Sequence, residues 1–200
     1  STRQNIRDYL GEQRESTGQV PDESTIVLER FRDEVGDWRF VLHSPLGRSV
    51  LAPWALAIGA SLQAATGIDV VPTASDDGII WRLPDSEAAE HITEHLLPEP
   101  DEVGEIVTAE VGGTALFASR FRECAARALL LPGREPGRRS PLWQQRQRSA
   151  QLLEVARHHP RFPIIIETVR EVLQDVYDLP GLVDVLRQLQ RGTIRLVEVA

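Results

Sequence analysis

Between Ser119 and Ala150 the chain reads "SRFRECAARALLLPGREPGRRSPLWQQRQRSA", with eight arginines and two glutamates. The formal charge of the whole chain is -8, so this segment of +6 leaves -14 for everything else. Clustered guanidinium groups are suited to polyanions. Each forks onto a phosphate, and neutralising phosphates releases counterions. Arg120 and Arg127 lie seven apart, on one face of a helix, with Arg122 offset. Arg138 and Arg139 occupy the loop "GRRSP", and Arg146 and Arg148 follow close on Trp143. Aromatic rings among cations give unpaired bases a surface to stack on. Trp38 follows the turn "VGD" and precedes Arg39, and Trp143 adjoins the basic loop, so both rank above Trp54, which lies in an apolar run. Trp81 alternates with Ile79 and Leu83 and reads as core. The plainer account is that these arginines pair with carboxylates elsewhere in the chain. Composition leaves the two readings level.

Other chemistries are less well served. "HITEH" places His91 and His95 at i,i+4, the spacing of one zinc-peptidase pattern. The acid-rich segment around it is adequately explained as a solvated helix. His158 and His159 stand at a helix end, where the dipole favours cations. Cys124 has no neighbouring His and reads as a small hydrophobe. No G-x-S-x-G elbow is present. All 22 basic residues are arginine, so a phosphate loop ending in Gly-Lys-Ser/Thr is excluded. The chain alone is therefore not expected to hydrolyse ATP, and no metal or cofactor is assigned to it.

The positioning elements follow from periodicity. "NIRDYLGEQREST" reads as a first helix, and "TIVLERF" and "WRFVLHS" as strands. A buried helix over 50–65 carries Pro53 in its first turn. "IDVVPT" and "GIIWRL" flank the hairpin signal "ASDDG". Helices are expected over "DSEAAEHITEHLL", 101–110, 113–131, 141–157, "IIIETVREVLQDVYD" and "PGLVDVLRQLQ", before a last strand, "TIRLVEVA". Strands and helices do not alternate as in βαβ units. The expectation is α+β: an antiparallel, curved or barrel-like sheet flanked by several helices.

Two hundred residues at 42% hydrophobic suit one domain with a core, or two small ones. No apolar run is expected to reach the ~18–20 residues of a membrane span. One cysteine cannot form an internal disulfide, consistent with a reducing cytosol. Ser1 falls inside a helix-like pattern and Ala200 directly follows a strand-like run, as expected of a piece of a longer polypeptide.

"TIVLERFRDEVGDWRFVLHSPLGRSVLAPWALAI", "DDGIIWRLPD", "SRFRECAARALLLP", "RRSPLWQQRQRSAQLL" and "ETVREVLQDVYDLPGL" together resemble the DEAD/H-associated region of the large helicase-related (Lhr) family. The resemblance is collinear over nearly the whole chain and makes residues 1–200 one accessory domain. It implies a parent superfamily 2, ATP-dependent, 3′-to-5′ translocase and helicase linked to DNA repair. Such a parent acts on single-stranded DNA and on duplex or RNA:DNA hybrid junctions, and is cytoplasmic, bacterial and nucleoid-associated. It further implies ATP and Mg in two RecA-like motor domains followed by a winged helix, all N-terminal to Ser1. The domain's partners would be those domains and the tracked strand, with no membrane. Two alternatives stand beside this: a DNA glycosylase-like base-excision domain using Asp76, Asp77 or Asp101, or a purely structural domain docking the motor.

Overall fold

The computed structural model describes residues 21–84, 87–128, 130–131, 142–159 and 161–199. Its strands are β1 (Thr25–Arg32), β2 (Trp38–His43), β3 (Thr73–Ala74), β4 (Gly78–Leu83) and β5 (Arg195–Val199). The longer helices are α1 (Arg48–Thr66), α4 (Val103–Val111), α5 (Ala115–Arg127), α6 (Leu142–Arg157), α7 (Pro163–Glu171) and α8 (Leu179–Gln190). Short helices α2 (Glu87–Glu90) and α3 (Thr93–Leu96) complete the α-helices among the described residues. The first expected helix lies outside them.

The chain forms two compact units, one from Ser1–Val107 with Asp178–Ala200, the other from Thr108–Tyr177. The first holds one open sheet in the order β3-β4-β2-β1-β5. The α+β expectation holds. Among the described residues the sheet does not close into a barrel, and β5 pairs parallel to β1 while every other pair of strands is antiparallel. Parallel neighbours need a long crossover, and the chain between β1 and β5 supplies one.

Alternation sets the faces. Ile26, Leu28, Phe40, Leu42, Ile79, Trp81 and Leu83 point to one side and are buried. Leu51, Trp54, Ile58 and Leu62 of α1 are buried with them. On the opposite face Phe31 and Ile80 remain exposed. Of "IDVVPT" only Thr73 joins the sheet. The preceding residues lie against α1, where a side chain at Gly59 would meet Pro72 and the Val70 carbonyl at 3.0 and 3.1 Å.

Helix α1 starts two residues earlier than the pattern implies, which moves Pro53 beyond the first turn. Proline has no N–H for the carbonyl four residues back, here that of Ser49. The backbone N–H of Asp178 donates to it instead, at 2.9 Å. Asp178 also caps α8, its side chain accepting from Gly181. Gly67, at φ 70°, closes α1 in the left-handed conformation. At 19 residues α1 is long and apolar enough to cross a membrane by length and composition, contrary to expectation, yet it is the core helix under the sheet.

The expected helix over "DSEAAEHITEHLL" is divided. Bonds from Glu94 and His95 back three residues tighten the chain at the break. In the second unit, Phe117, Phe121, Cys124 and Ala125 of α5 are buried, as are Leu153 and Ala156 of α6 and Ile164 and Thr168 of α7. Beyond α7 the chain widens into a π-helical turn, Val172–Val176, where a single helix was expected. The Tyr177 N–H reaches back five residues to the Val172 carbonyl.

Candidate nucleic-acid interface

Helix α5 begins at Thr114, whose hydroxyl accepts the Phe117 N–H at 3.0 Å. Burial of Phe117, Phe121 and Cys124 at i, i+4, i+7 turns the arginines outward. They are not idle there. Arg120 pairs with Glu123 at 2.9 Å, and Arg127 pairs with Glu171 and donates to the Cys124 sulfur at 3.3 Å. Pairing with a carboxylate elsewhere in the chain thus holds for Arg127, whereas the partner of Arg120 lies within the basic segment itself. The Arg120–Glu123 pair is exposed, and such pairs are worth ~0–1 kcal/mol, so a phosphate competes with it at little cost. Glu171 is only 17% exposed, and the Arg127 pair is the more sheltered of the two.

On α6, Ser149, Leu153 and Ala156 face inward. Trp143 is 62% exposed, and Arg146 and Arg148 are exposed as well. Among the described residues neither arginine forms an ion pair. Trp143 and Arg146, three apart, share a side of the helix, while Arg148, two residues beyond Arg146, lies on the other side of the inward face. Arg120, Arg127, Trp143, Arg146 and Arg148 therefore belong to one compact unit. Arg138 and Arg139 lie outside the described residues.

The other two tryptophans belong to the sheet unit. Trp54 is fully buried, and its indole N–H donates to the Leu96 carbonyl at 2.7 Å. No face of it is open to a base. Trp38 opens β2, half-buried, opposite Arg32 and Leu83. The Arg32 guanidinium lies 4.3 Å from its ring centroid and that of Arg30 5.4 Å. Arg30 also pairs with Glu198 at 2.8 Å. Sequence reading missed both arginines. "TIVLERF" ends before Arg32, and only the hairpin register brings Arg30 and Arg32 onto the side of the sheet that carries Trp38.

Asp33 organises the β1–β2 turn. One of its oxygens accepts the N–H groups of Val35 and Asp37, at 3.0 and 3.1 Å. The other faces Nε of Arg82 and of Arg39, at 3.0 and 3.3 Å. Partial burial pulls this carboxyl upward, but the backbone N–H bonds and the arginines outweigh it and hold it below the ordinary Asp value. Burial pushes the Cys124 thiol up, which is the opposite of an activated nucleophile.

The remaining candidates find local partners. His91 faces Glu94 at 3.8 Å and His95 is hydrogen-bonded to the Ser61 hydroxyl at 3.2 Å. The described residues contain no group of three or more metal-ligating side chains. His158 and His159 are exposed, and their backbone N–H groups close the end of α6. Asp77 accepts from Ser75, and Asp101 pairs with Arg187 at 2.8 Å.

Residues 20–200 match the family described as DEAD/H associated. The chain is 60% identical over 195 residues to the Lhr helicase/probable uracil glycosylase of Mycolicibacterium smegmatis, covering 98% of this chain and 13% of that protein. It is 54% identical to the Lhr helicase/uracil glycosylase of Escherichia coli, again over 98% of this chain and 13% of the relative. An ATP-dependent helicase Lhr-Core of Sulfolobus acidocaldarius is 28% identical, over 97% of this chain and 22% of its own length. Among solved structures, Mycobacterium smegmatis helicase Lhr bound to ssDNA and AMP-PNP superposes with a TM-score of 0.88 at 60% identity, covering 98% of this chain and 25% of that one. The chain thus spans only a small part of the proteins it resembles.

Proposed function

The chain belongs to the DEAD/H associated family, and from that premise we propose that it is the accessory domain of an Lhr-type helicase and holds the tracked single strand. One observation carries this reading: the near-complete likeness to a helicase solved with single-stranded DNA. In the proposed mechanism, ATP and Mg act in motor domains of the parent polypeptide, and this domain helps close a channel around one strand. Phosphates pass Arg120, Arg127, Arg138, Arg139, Arg146 and Arg148. The exposed Arg120–Glu123 pair on α5 opens as phosphate replaces carboxylate, and Arg146 and Arg148 of α6, which form no ion pair among the described residues, need no such exchange.

An aromatic ring grips a base. Trp38 and Trp143 are the two candidates, since Trp54 is sealed in the core. Stacking is worth ~1–3 kcal/mol per base and is indifferent to sequence. That is enough to resist slippage during a step without fixing a site on the strand. Unwinding of duplexes and RNA:DNA hybrids, a role in DNA repair, and contact with the RecA-like and winged-helix domains belong to the same proposal.

The test is Trp38→Ala in the full-length enzyme. ATP hydrolysis is expected to persist while duplex unwinding falls away, because the step is no longer transmitted to the strand. Unimpaired unwinding would reject Trp38 as the gripping residue.

A further inference from the structure

At the tip of the β1–β2 hairpin stands Val35, 80% exposed. Turn tips ordinarily carry Gly, Asn, Asp or Ser, whose side chains suit the backbone or the solvent. Here a branched apolar side chain is held out into water by a turn that is unusually well braced. The Asp33 N–H donates to the Asp37 carbonyl at 2.9 Å, and the Gly36 N–H to the Asp33 carbonyl at 3.0 Å. The Asp33 carboxylate takes the Val35 and Asp37 N–H groups on one oxygen. Arg39 and Arg82 hold its other oxygen, and Arg82 reaches Asp37 as well, at 2.8 Å. Arg32 donates to the Gly36 carbonyl at 2.8 Å. Gly36, at φ 93°, supplies the left-handed residue that closes the loop.

This bracing uses up charge. Arg39 and Arg82 are committed to Asp33 and Asp37, Arg30 to Glu198, and Glu34 adds an exposed carboxylate. The tip is thus not a phosphate grip. It is a stiff, electrically balanced projection ending in an apolar group, with Trp38 three residues behind it. Nucleic acid meets such a feature through its bases, since apolar side chains set against a base step unstack it.

We propose that the β1–β2 turn is a strand-parting wedge, with Val35 set against the terminal base pair of a duplex ahead of the tracked strand. Stiffness is the functional requirement, because a tip that bent would absorb the motor's displacement instead of passing it to the base pair. This rests on the reading that the domain works within a helicase, but adds a contact to duplex DNA that strand holding does not need.

The experiment uses the full-length helicase with a 3′-tailed duplex, comparing wild type, Val35→Ser and Val35→Ile. It reads unwinding rate, strand-stimulated ATP hydrolysis, and single-strand affinity at several salt concentrations. Val35→Ser is expected to slow unwinding about tenfold, the worth of one buried valine side chain. ATP hydrolysis, strand affinity and its salt slope should stay within about twofold of wild type, and Val35→Ile should unwind normally. Wild-type unwinding by Val35→Ser overturns the wedge and leaves strand holding intact. Equal losses in strand affinity and unwinding also overturn it, assigning the tip to the single strand. Should replacement of the α6 arginines leave strand affinity and salt slope unchanged, the phosphate track fails instead, and the wedge is judged on the Val35 result alone.

Discussion

Replacing Trp54 with Phe separates a core tryptophan from a base-stacking one. The indole is fully buried between the sheet and its helix neighbours, and its N–H is bonded to the Leu96 carbonyl at 2.7 Å. Phenylalanine cannot make that bond. It strands a buried carbonyl at the end of α3, at a cost of ~1–3 kcal/mol. The smaller ring also leaves a space of roughly 40 Å³, worth about 1 kcal/mol at ~24 cal/mol per Å³. Together these predict a loss of about 2–4 kcal/mol, a large fraction of the ~5–15 kcal/mol that holds a domain together. Urea unfolding followed by far-ultraviolet circular dichroism measures it, with the denaturant slope unchanged. Single-strand affinity below the unfolding transition should equal that of wild type. A loss under about 0.5 kcal/mol, or a fall in affinity without a fall in stability, would refute the placement of this ring.

Asp33 makes a pH prediction. Its folded carboxyl lies below its ordinary value, so it stabilises the fold at pH above the unfolded value near ~3.9, and that stability is lost as pH falls through the lowered folded value. Asp33→Asn should therefore lose less stability than wild type between neutral pH and about pH 2.5, measured as urea midpoints. Identical acid limbs would contradict this. Gly78→Ala places a Cβ 2.6 Å from the Leu42 carbonyl oxygen, where backbone rather than a side-chain tip must give way. It should cost roughly 1–3 kcal/mol and lower the melting temperature. An unchanged melting temperature would mean that the β2–β4 ladder yields more easily than its register implies.

What could be read from the sequence was local. Ile79, Trp81 and Leu83 are buried as their alternation requires, and "ASDDG" does close the β3–β4 hairpin, with the Ser75 N–H bonded to the Gly78 carbonyl at 2.8 Å. Trp143, Arg146 and Arg148 are on the surface, as their polar surroundings imply. What escaped depended on distant residues. The Ser49 carbonyl left by Pro53 is met by Asp178, more than a hundred positions away, so no window around Pro53 could place the helix start. "IDVVPT" has strand composition, but its packing at Gly59 and the missing N–H of Pro72 keep most of it from the ladder. The parallel β1–β5 pair, and a second unit formed by residues 108–177, arise from pairings that no local pattern encodes. At the candidate interface, Arg30 and Arg32 were invisible for the same reason, since their place beside Trp38 exists only in the folded register.

Strand holding is tested most directly by fluorescence anisotropy of a labelled 3′-tailed single strand, titrated at several salt concentrations. Wild type is compared with a variant carrying Ala at Arg138, Arg139, Arg146 and Arg148. Log affinity should fall linearly with log salt in wild type, and the slope should flatten by roughly 0.7 for each phosphate contact removed. Binding that keeps the wild-type affinity and slope in the variant would contradict a phosphate track along this segment.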